Sequence, residues 1–407
     1  MLWKLAYLNL WRNRRRTLLA GLSIMFGVVV IVCTGNFING MRRQWATAEI
    51  NSNTGALQIE HRDYQLRNKL APLEVSVEPS TEWVRQIREI PGVRSAYGKL
   101  KFTGLVSGGR TSTFFDGVAV DVRGQRESLP QQEDLIVAGK PLDQTAGGVV
   151  LGSDLADMLG IRIGDPVMIL VRTYQGGMNM NYGTLVGTKN GRHFPSSTYL
   201  ETTLMDAQKL LRMGDRVSQV VVRARDFDSI LALSQQIEKL FSSGKVPFTV
   251  RNYAELIPNY ARGTASFKAI SMVLGLVLFI LVGSGVGNVM AMAVLERRRE
   301  IGTLCALGME KGQVRRLYLA EGFLVSLFGA LAGLVSALLL SHLVASHGGL
   351  PLPPPPGTSQ KISIIPLLDP FMAGLGVIVP VIVSLFATWW PASTSANLHP
   401  AEALREA

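Results

Sequence analysis

The sequence predicts an α-helical membrane protein with four transmembrane helices, both termini inside, and a large α+β extracytoplasmic domain between helices 1 and 2. Three observations carry this. Four predominantly apolar segments, 17–38, 268–295, 317–342 and 371–390, are each long enough to cross a hydrocarbon core. Between the first two lies 41–267, a stretch of ordinary globular composition. Arg297, Arg298, Arg299, Lys311, Arg315 and Arg316 crowd the short connection between the second and third, which the positive-inside rule places in the cytoplasm.

In chain order, residues 1–16 alternate Leu2, Trp3, Leu5, Leu8 and Trp11 with Lys4, Asn9 and Arg12, as expected of a cytoplasmic helix lying in the membrane interface. Arg14, Arg15 and Arg16 pin its end inside. The first span, 17–38, is too long for a signal-peptide core and no A-x-A site follows, so it reads as an uncleaved anchor. The second span, 268–295, exceeds what a bilayer needs and is expected to tilt or protrude as a stalk. Gly283-x-x-x-Gly287 in the second span and Gly329-x-x-x-Gly333 in the third allow close backbone approach, although such pairs also arise by chance in apolar helices. The outside loop, 343–370, carries little charge, and the fourth span, 371–390, returns the tail 391–407 to the inside.

Two β-α-β-like units in the outer stretch, Val75–Tyr97 and Val217–Val250, suit a split ferredoxin-like part at about 55–130 and 206–255. An inserted β-rich subdomain is expected at about 131–205. Within it, the Gly- and Asn-rich run from Tyr174 to Arg192 reads as irregular, either a client or chaperone contact or an ordinary insertion loop.

Composition narrows the function classes. Hydrophobic residues make up 47%, charged residues 17%, and the formal charge of +11 is concentrated beside the spans, which argues against nucleic acid as a partner. No G-x-x-x-x-G-K-[ST], G-x-S-x-G or H-E-x-x-H occurs, and the five histidines have no metal-ligand spacing. Accordingly no catalytic residue, cofactor or metal is expected, and the chain is not expected to be an enzyme. Cys33 and Cys305 lie in a span and in the inside loop, so no disulfide joins them.

The inside segment 296–316 is patterned as well as charged. Ile301, Leu304, Leu307 and Val314 recur at helical spacing and Gly308 follows as a stop, giving a short amphipathic helix at the inner face. On charge alone, a solvated loop that only fixes topology fits equally well. Glu321, in the third span, is costly there unless paired or near water. Either it bonds the cytoplasmic segment through Arg315 or Arg316, or it snorkels to solvent.

The order E-R-R-R-E-I-G-T-L-x-A-L-G-M, followed by L-x-x-x-E-G, resembles the signature of FtsX/MacB-like permeases, the membrane subunits of type VII ABC transporters. G-x-x-L-A-x-x-L-G-x-x-x-G-D (Gly152, Leu155, Ala156, Leu159, Gly160, Gly164, Asp165) and the tail P-A-x-x-A…P-x-x-A-L add to the likeness, which leans towards the lipoprotein-releasing LolC/LolE-like branch. The resemblance implies that Glu296, Arg297, Glu300, Ile301, Gly302, Leu304, Ala306, Leu307 and Gly308 form a coupling helix that docks on a cytosolic ABC ATPase. Cys305 departs from the basic residue common at its position. The same resemblance implies a second permease chain (identical or paralogous), a bacterial inner-membrane location with the large domain in the periplasm, and hydrolysis by the partner subunit. Lipoprotein release is the favoured expectation, with a periplasmic chaperone or adaptor as a further partner. The alternatives are MacB-like efflux of peptides or amphiphilic drugs and FtsX-like regulation of cell-wall hydrolases, the latter disfavoured by so large an outer domain.

Overall fold

The computed structural model describes residues 2–12, 14–67, 73–78, 80–190, 197–241, 248–296, 309–352 and 362–396. The chain divides into two compact units, 1–44 with 262–407, and 45–261.

In the membrane unit, four helices among the described residues are long and apolar enough to cross a bilayer. The N-terminal helix Leu2–Arg12 lays Ala6 against Leu317 and Ala320 at the start of the third span, while Leu8 and Trp11 stay exposed. The first-span helix buries Ala20, Ile24, Val28 and Val32 against Val325, Ala330 and Ala337 of the third. Exposed apolar side chains such as Phe26 and Leu339 turn outward, as they do where the solvent is lipid.

Helix ends differ from those expected. The first span is a single helix, Arg14–Glu49, followed by a π-turn, Ile50–Thr54, rather than ending at 38. At about 1.5 Å per residue its 36 residues reach about 54 Å, well beyond a hydrocarbon core of roughly 30 Å. Met41, Arg42, Arg43 and Gln44 end the apolar run but favour helix, and the first glycine with positive φ is Gly55. The second-span helix starts at Tyr260, not 268, and runs to Glu296. The third starts at Lys311, not 317, because Glu310 and Gln313 close a capping box there. Residues 311–316 thus belong to the span helix rather than to a separate coupling helix.

The outer unit, 45–261, is built on one ten-stranded sheet, with strands β1 Leu57–His61, β2 Val93–Ser107, β3 Ser112–Val120, β4 Ile136–Gly139, β5 Gly148–Gly152, β6 Pro166–Arg172, β7 Met178–Lys189, β8 Tyr199–Thr203, β9 Gln219–Ala224 and β10 Phe248–Asn252. At one end the order β10-β1-β9-β2, all antiparallel, is the 4-1-3-2 arrangement of a ferredoxin-like βαββαβ unit. Its helices, Ser80–Arg88 and Ile230–Phe241, bury Ile87, Leu233 and Ile237 against Leu57, Ile59, Val220 and Val222.

The inserted part begins earlier than 131. Strand β2 is 15 residues long: Val93–Lys99 pairs with β9, while Lys99–Ser107 pairs with β3. One strand thus serves both parts. The insert has its own core of Leu100, Phe102, Phe115, Leu151, Leu155, Val167 and Leu200. The run from Tyr174 to Arg192 is not irregular over most of its length. Residues 178–189 form β7, paired with β6 near the hairpin tip and with β5 and β4 further on. Alternating Asn and Met hid the strand because both faces of its first half are solvent-accessible. Residues 191–192 lie outside the described residues.

Candidate functional site

The residues expected to act fall in the connection between the second and third spans and in the packing of the spans. Of the coupling residues, Arg297, Glu300, Ile301, Gly302, Leu304, Ala306, Leu307 and Gly308 lie outside the described residues, and Glu296 ends the second-span helix.

The paired glycines sit at helix crossings. Gly329 faces the Gly21 carbonyl and Ile24, and a Cβ at Gly333 would stand 2.7 Å from the Met25 carbonyl oxygen and from Val28. Third and first spans therefore meet backbone to backbone. Gly283 lies against Val383 and Gly287 against Ala387, so the second span crosses the fourth. Elsewhere the second span presents Ile270, Met272, Val273, Leu276 and Ile280 outward.

Glu321 is buried, 6% exposed, and makes contact within the protein, which excludes a carboxylate snorkelling into solvent. It lies about three turns into its helix, because that helix starts at Lys311 rather than at 317. Beside it the Gly322 carbonyl accepts from Ser384 Oγ at 3.2 Å, and a Cβ on Gly322 would meet Thr388 Oγ1 at 2.7 Å. Third and fourth spans thus share a seam of small and hydroxyl residues.

A further polar tie was missed in the sequence reading. Asn36, 1% exposed, donates to Ser341 Oγ at 3.0 Å, and its side-chain oxygen accepts from the Asp369 amide at 2.9 Å. Its carbonyl accepts from Leu367 N at 3.0 Å. One amide in the first span thereby fixes the third span and the entry to the fourth. A lone Asn inside an apolar run was the available signal.

At the base of the outer domain, Trp45 on the continuation of the first span stacks on Tyr260 at the start of the second, ring centroids 5.2 Å apart. Tyr260 packs on Tyr253 at 5.7 Å and Tyr253 on Phe227 at 5.0 Å. Ala46, Ile257 and Tyr260 are buried in this cluster. Both chain crossings of the outer unit are thus clamped together by aromatic rings. Such contacts are worth about 0.5–1.5 kcal/mol each beyond burial.

Deeper in the sheet is a buried ionic cluster. Lys189 on β7, 3% exposed, pairs with Glu201 on β8, 0% exposed. Glu201 also accepts from Gln125 at 2.8 Å and from Tyr199 Oη at 3.0 Å. Burial pushes the Glu201 carboxyl up, but the Lys189 charge and these donors outweigh it and hold the group below the usual carboxylate range. Among the described residues no group of His, Cys, Asp and Glu could hold a metal ion.

Two family descriptions match this chain: a MacB-like periplasmic core domain over residues 17–240 and an FtsX-like permease C-terminal domain over 272–400. It is 26% identical to the lipoprotein-releasing system transmembrane protein LolC of Xylella fastidiosa strain 9a5c, over 69% of this chain and 72% of that protein. The same-named protein of strain Temecula1 is 23% identical over 94% and 92%. The macrolide export ATP-binding/permease protein MacB of Bordetella avium is 23% identical over 98% of this chain, which spans 59% of that relative. Among solved structures, the periplasmic region of MacB from Actinobacillus actinomycetemcomitans aligns with a TM-score of 0.38 at 13% identity, covering 51% of this chain and 93% of that one. The chain belongs to the family of permeases that join a MacB-like periplasmic core to an FtsX-like C-terminal domain, the membrane subunits of type VII ABC transporters.

Proposed function

We propose that this permease couples ATP hydrolysis by a separate cytosolic ATPase to movement of its periplasmic domain, and that the work done is release of lipoproteins from the inner membrane. The observation that carries the choice of cargo is the alignment with a LolC protein over 94% of this chain and 92% of that relative. Physical reasoning agrees with a need for coupled work. Each buried acyl methylene contributes roughly 0.8 kcal/mol to anchoring, so extraction of two or three chains does not proceed unaided.

In this reading Glu296 to Gly308 dock on the ATPase, the termini are inside, and a second permease chain completes the complex. Its nucleotide-driven closure moves the first and second spans, whose continuations share the Trp45–Tyr260 stack. Acyl chains enter beside the outer half of the second span, where Ile270, Val273 and Leu276 face outward. The β6–β7 hairpin, with Met178, Met180 and Tyr182 exposed on one face, is the contact for a client or periplasmic chaperone. The MacB relative, aligned over 98% of this chain, favours efflux as the second reading.

The test is purification of the intact complex in mild detergent with mass spectrometry of what stays bound. An ATPase together with triacylated lipoproteins, both lost in Gly302→Asp or Leu304→Asp, is the expected result. An ATPase with an adaptor and no lipoprotein would point to efflux. A complex without any ATPase would overturn the reading.

A further inference from the structure

Three carbonyl oxygens of the π-turn that follows the first-span helix accept hydrogen bonds from elsewhere in the outer domain. The Gln131 amide donates to Asn51 O at 3.2 Å, Gln58 Nε2 to Thr54 O at 2.7 Å, and Gln132 Nε2 to Ser52 O. Gln132 differs from the other two donors in what holds it. Its side-chain oxygen accepts from Lys189 Nζ at 2.9 Å, and Lys189 is the buried partner of Glu201. With a cation on its oxygen and a carbonyl on its nitrogen, the amide has one orientation only.

Two alternatives are weaker. The adjoining cavity, lined by Gln125, Gln132, Lys189 and Glu201, measures ≈ 10 Å³, room for about one water, so the cluster is no ligand pocket. Nor does stability alone account for it, since a buried ion pair is commonly no more stabilising than apolar residues of the same volume. What the pair does supply is a fixed direction for Gln132. Through it, strands β7 and β8 of the insert hold the π-turn Ile50–Thr54, which directly follows the helix Arg14–Glu49.

We propose that Gln132, locked between the Lys189–Glu201 pair and the Ser52 carbonyl, is a positioning residue that passes displacement of the first-span helix to the inserted part of the sheet. This rests on the transmitter reading above and names the joint that reading needs. The π-turn is then a gripped joint rather than a free hinge. Gly55, which follows it with φ of +69° and whose Cβ would stand 2.5 Å from Val221, allows the chain to turn directly into β1.

Two measurements on the full chain test it. In lipid nanodiscs, Gln132→Met is expected to raise hydrogen exchange of residues 50–56 by about ten-fold, the scale of one lost hydrogen bond tied to a charge. The paired change Lys189→Met with Glu201→Leu, which leaves Gln132 in place but unheld, is expected to do the same. Unchanged exchange in both overturns the proposal. In the complex purified with its ATPase, Gln132→Met is expected to keep the hydrolysis rate while lipoprotein released per ATP falls several-fold. Ser52→Cys with Gln132→Cys, bridged by a short bismaleimide in a Cys33→Ser, Cys305→Ser background, is expected to restore that ratio. An unaltered ratio in Gln132→Met overturns the joint alone. A wild-type complex that lacks an ATPase sinks the reading beneath it, while the exchange result still reports whether Gln132 holds the turn.

Discussion

The two units solve packing in opposite ways. In the outer domain Leu151, Leu155 and Phe102 are interior, because water drives apolar area together. In the membrane unit Phe26 and Leu339 face out while Gly329, Gly333, Gly322 and Ser384 face in. Lipid is as apolar as leucine, so only close approach and hydrogen bonds distinguish inside from outside there. The difference teaches that one residue type means different things in the two units. A buried leucine is a stability element in one, and a buried glycine is in the other.

Substitutions sharpen that contrast. The largest effect is expected for Lys189→Met, which leaves Glu201 charged and unpaired in the outer core, at about 3–5 kcal/mol. Denaturant unfolding followed by Trp83, packed between Phe241 and Phe248, reports it. Addition of Glu201→Leu is expected to recover part of the loss, and no recovery would mean that the pair is not the coupled unit described. Leu155→Ala, which opens a cavity in the same domain, is expected to cost about 3 kcal/mol by the same assay.

In the membrane unit, Gly333→Ala is expected to cost about 2 kcal/mol, read as a lower melting temperature in mild detergent, because its Cβ would strike the Met25 carbonyl. A smaller effect comes from pH. The folded-state pKa of Glu201 lies below its ordinary value, so its contribution is fully present above the unfolded carboxylate range and is lost as pH falls through the folded value. Stability measured between pH 7 and 3 is therefore expected to stay level from this group until below about pH 4.5 and then decline, and a steady fall between pH 7 and 5 would contradict that assignment. Smallest of all, Leu339→Ala on the outward face of the third span is expected to stay within about 0.5 kcal/mol. A large loss there would mean that a protein surface, not lipid, covers Leu339.

Much of the plan was legible in the residues. Apolar length located four helices among the described residues. Of the strands that join as β10-β1-β9-β2, the expected unit Val217–Val250 holds β9 and the start of β10 and Val75–Tyr97 holds the start of β2, while β1, Leu57–His61, lies ahead of both. Helix ends were less legible. Hydropathy reports where water begins rather than where hydrogen bonding stops, which is why 17–38 became Arg14–Glu49 and 268–295 became Tyr260–Glu296. Strand β7 was read as irregular because alternation of Met and Asn carries no buried face near the hairpin tip.

The sequence by itself determined what is local: the apolar spans, the small residues Gly283, Gly287, Gly329 and Gly333 within them, and the family signatures. Only the tertiary structure decided which distant segments meet. That β2 pairs with β9, that Trp45 stacks on Tyr260, and that Gln132 bridges Ser52 to Lys189 are facts of long-range pairing. No periodicity encodes them. A buried lysine reads as a surface charge until the fold brings its carboxylate alongside, because the cost of burial and its compensation come from residues far apart in the chain.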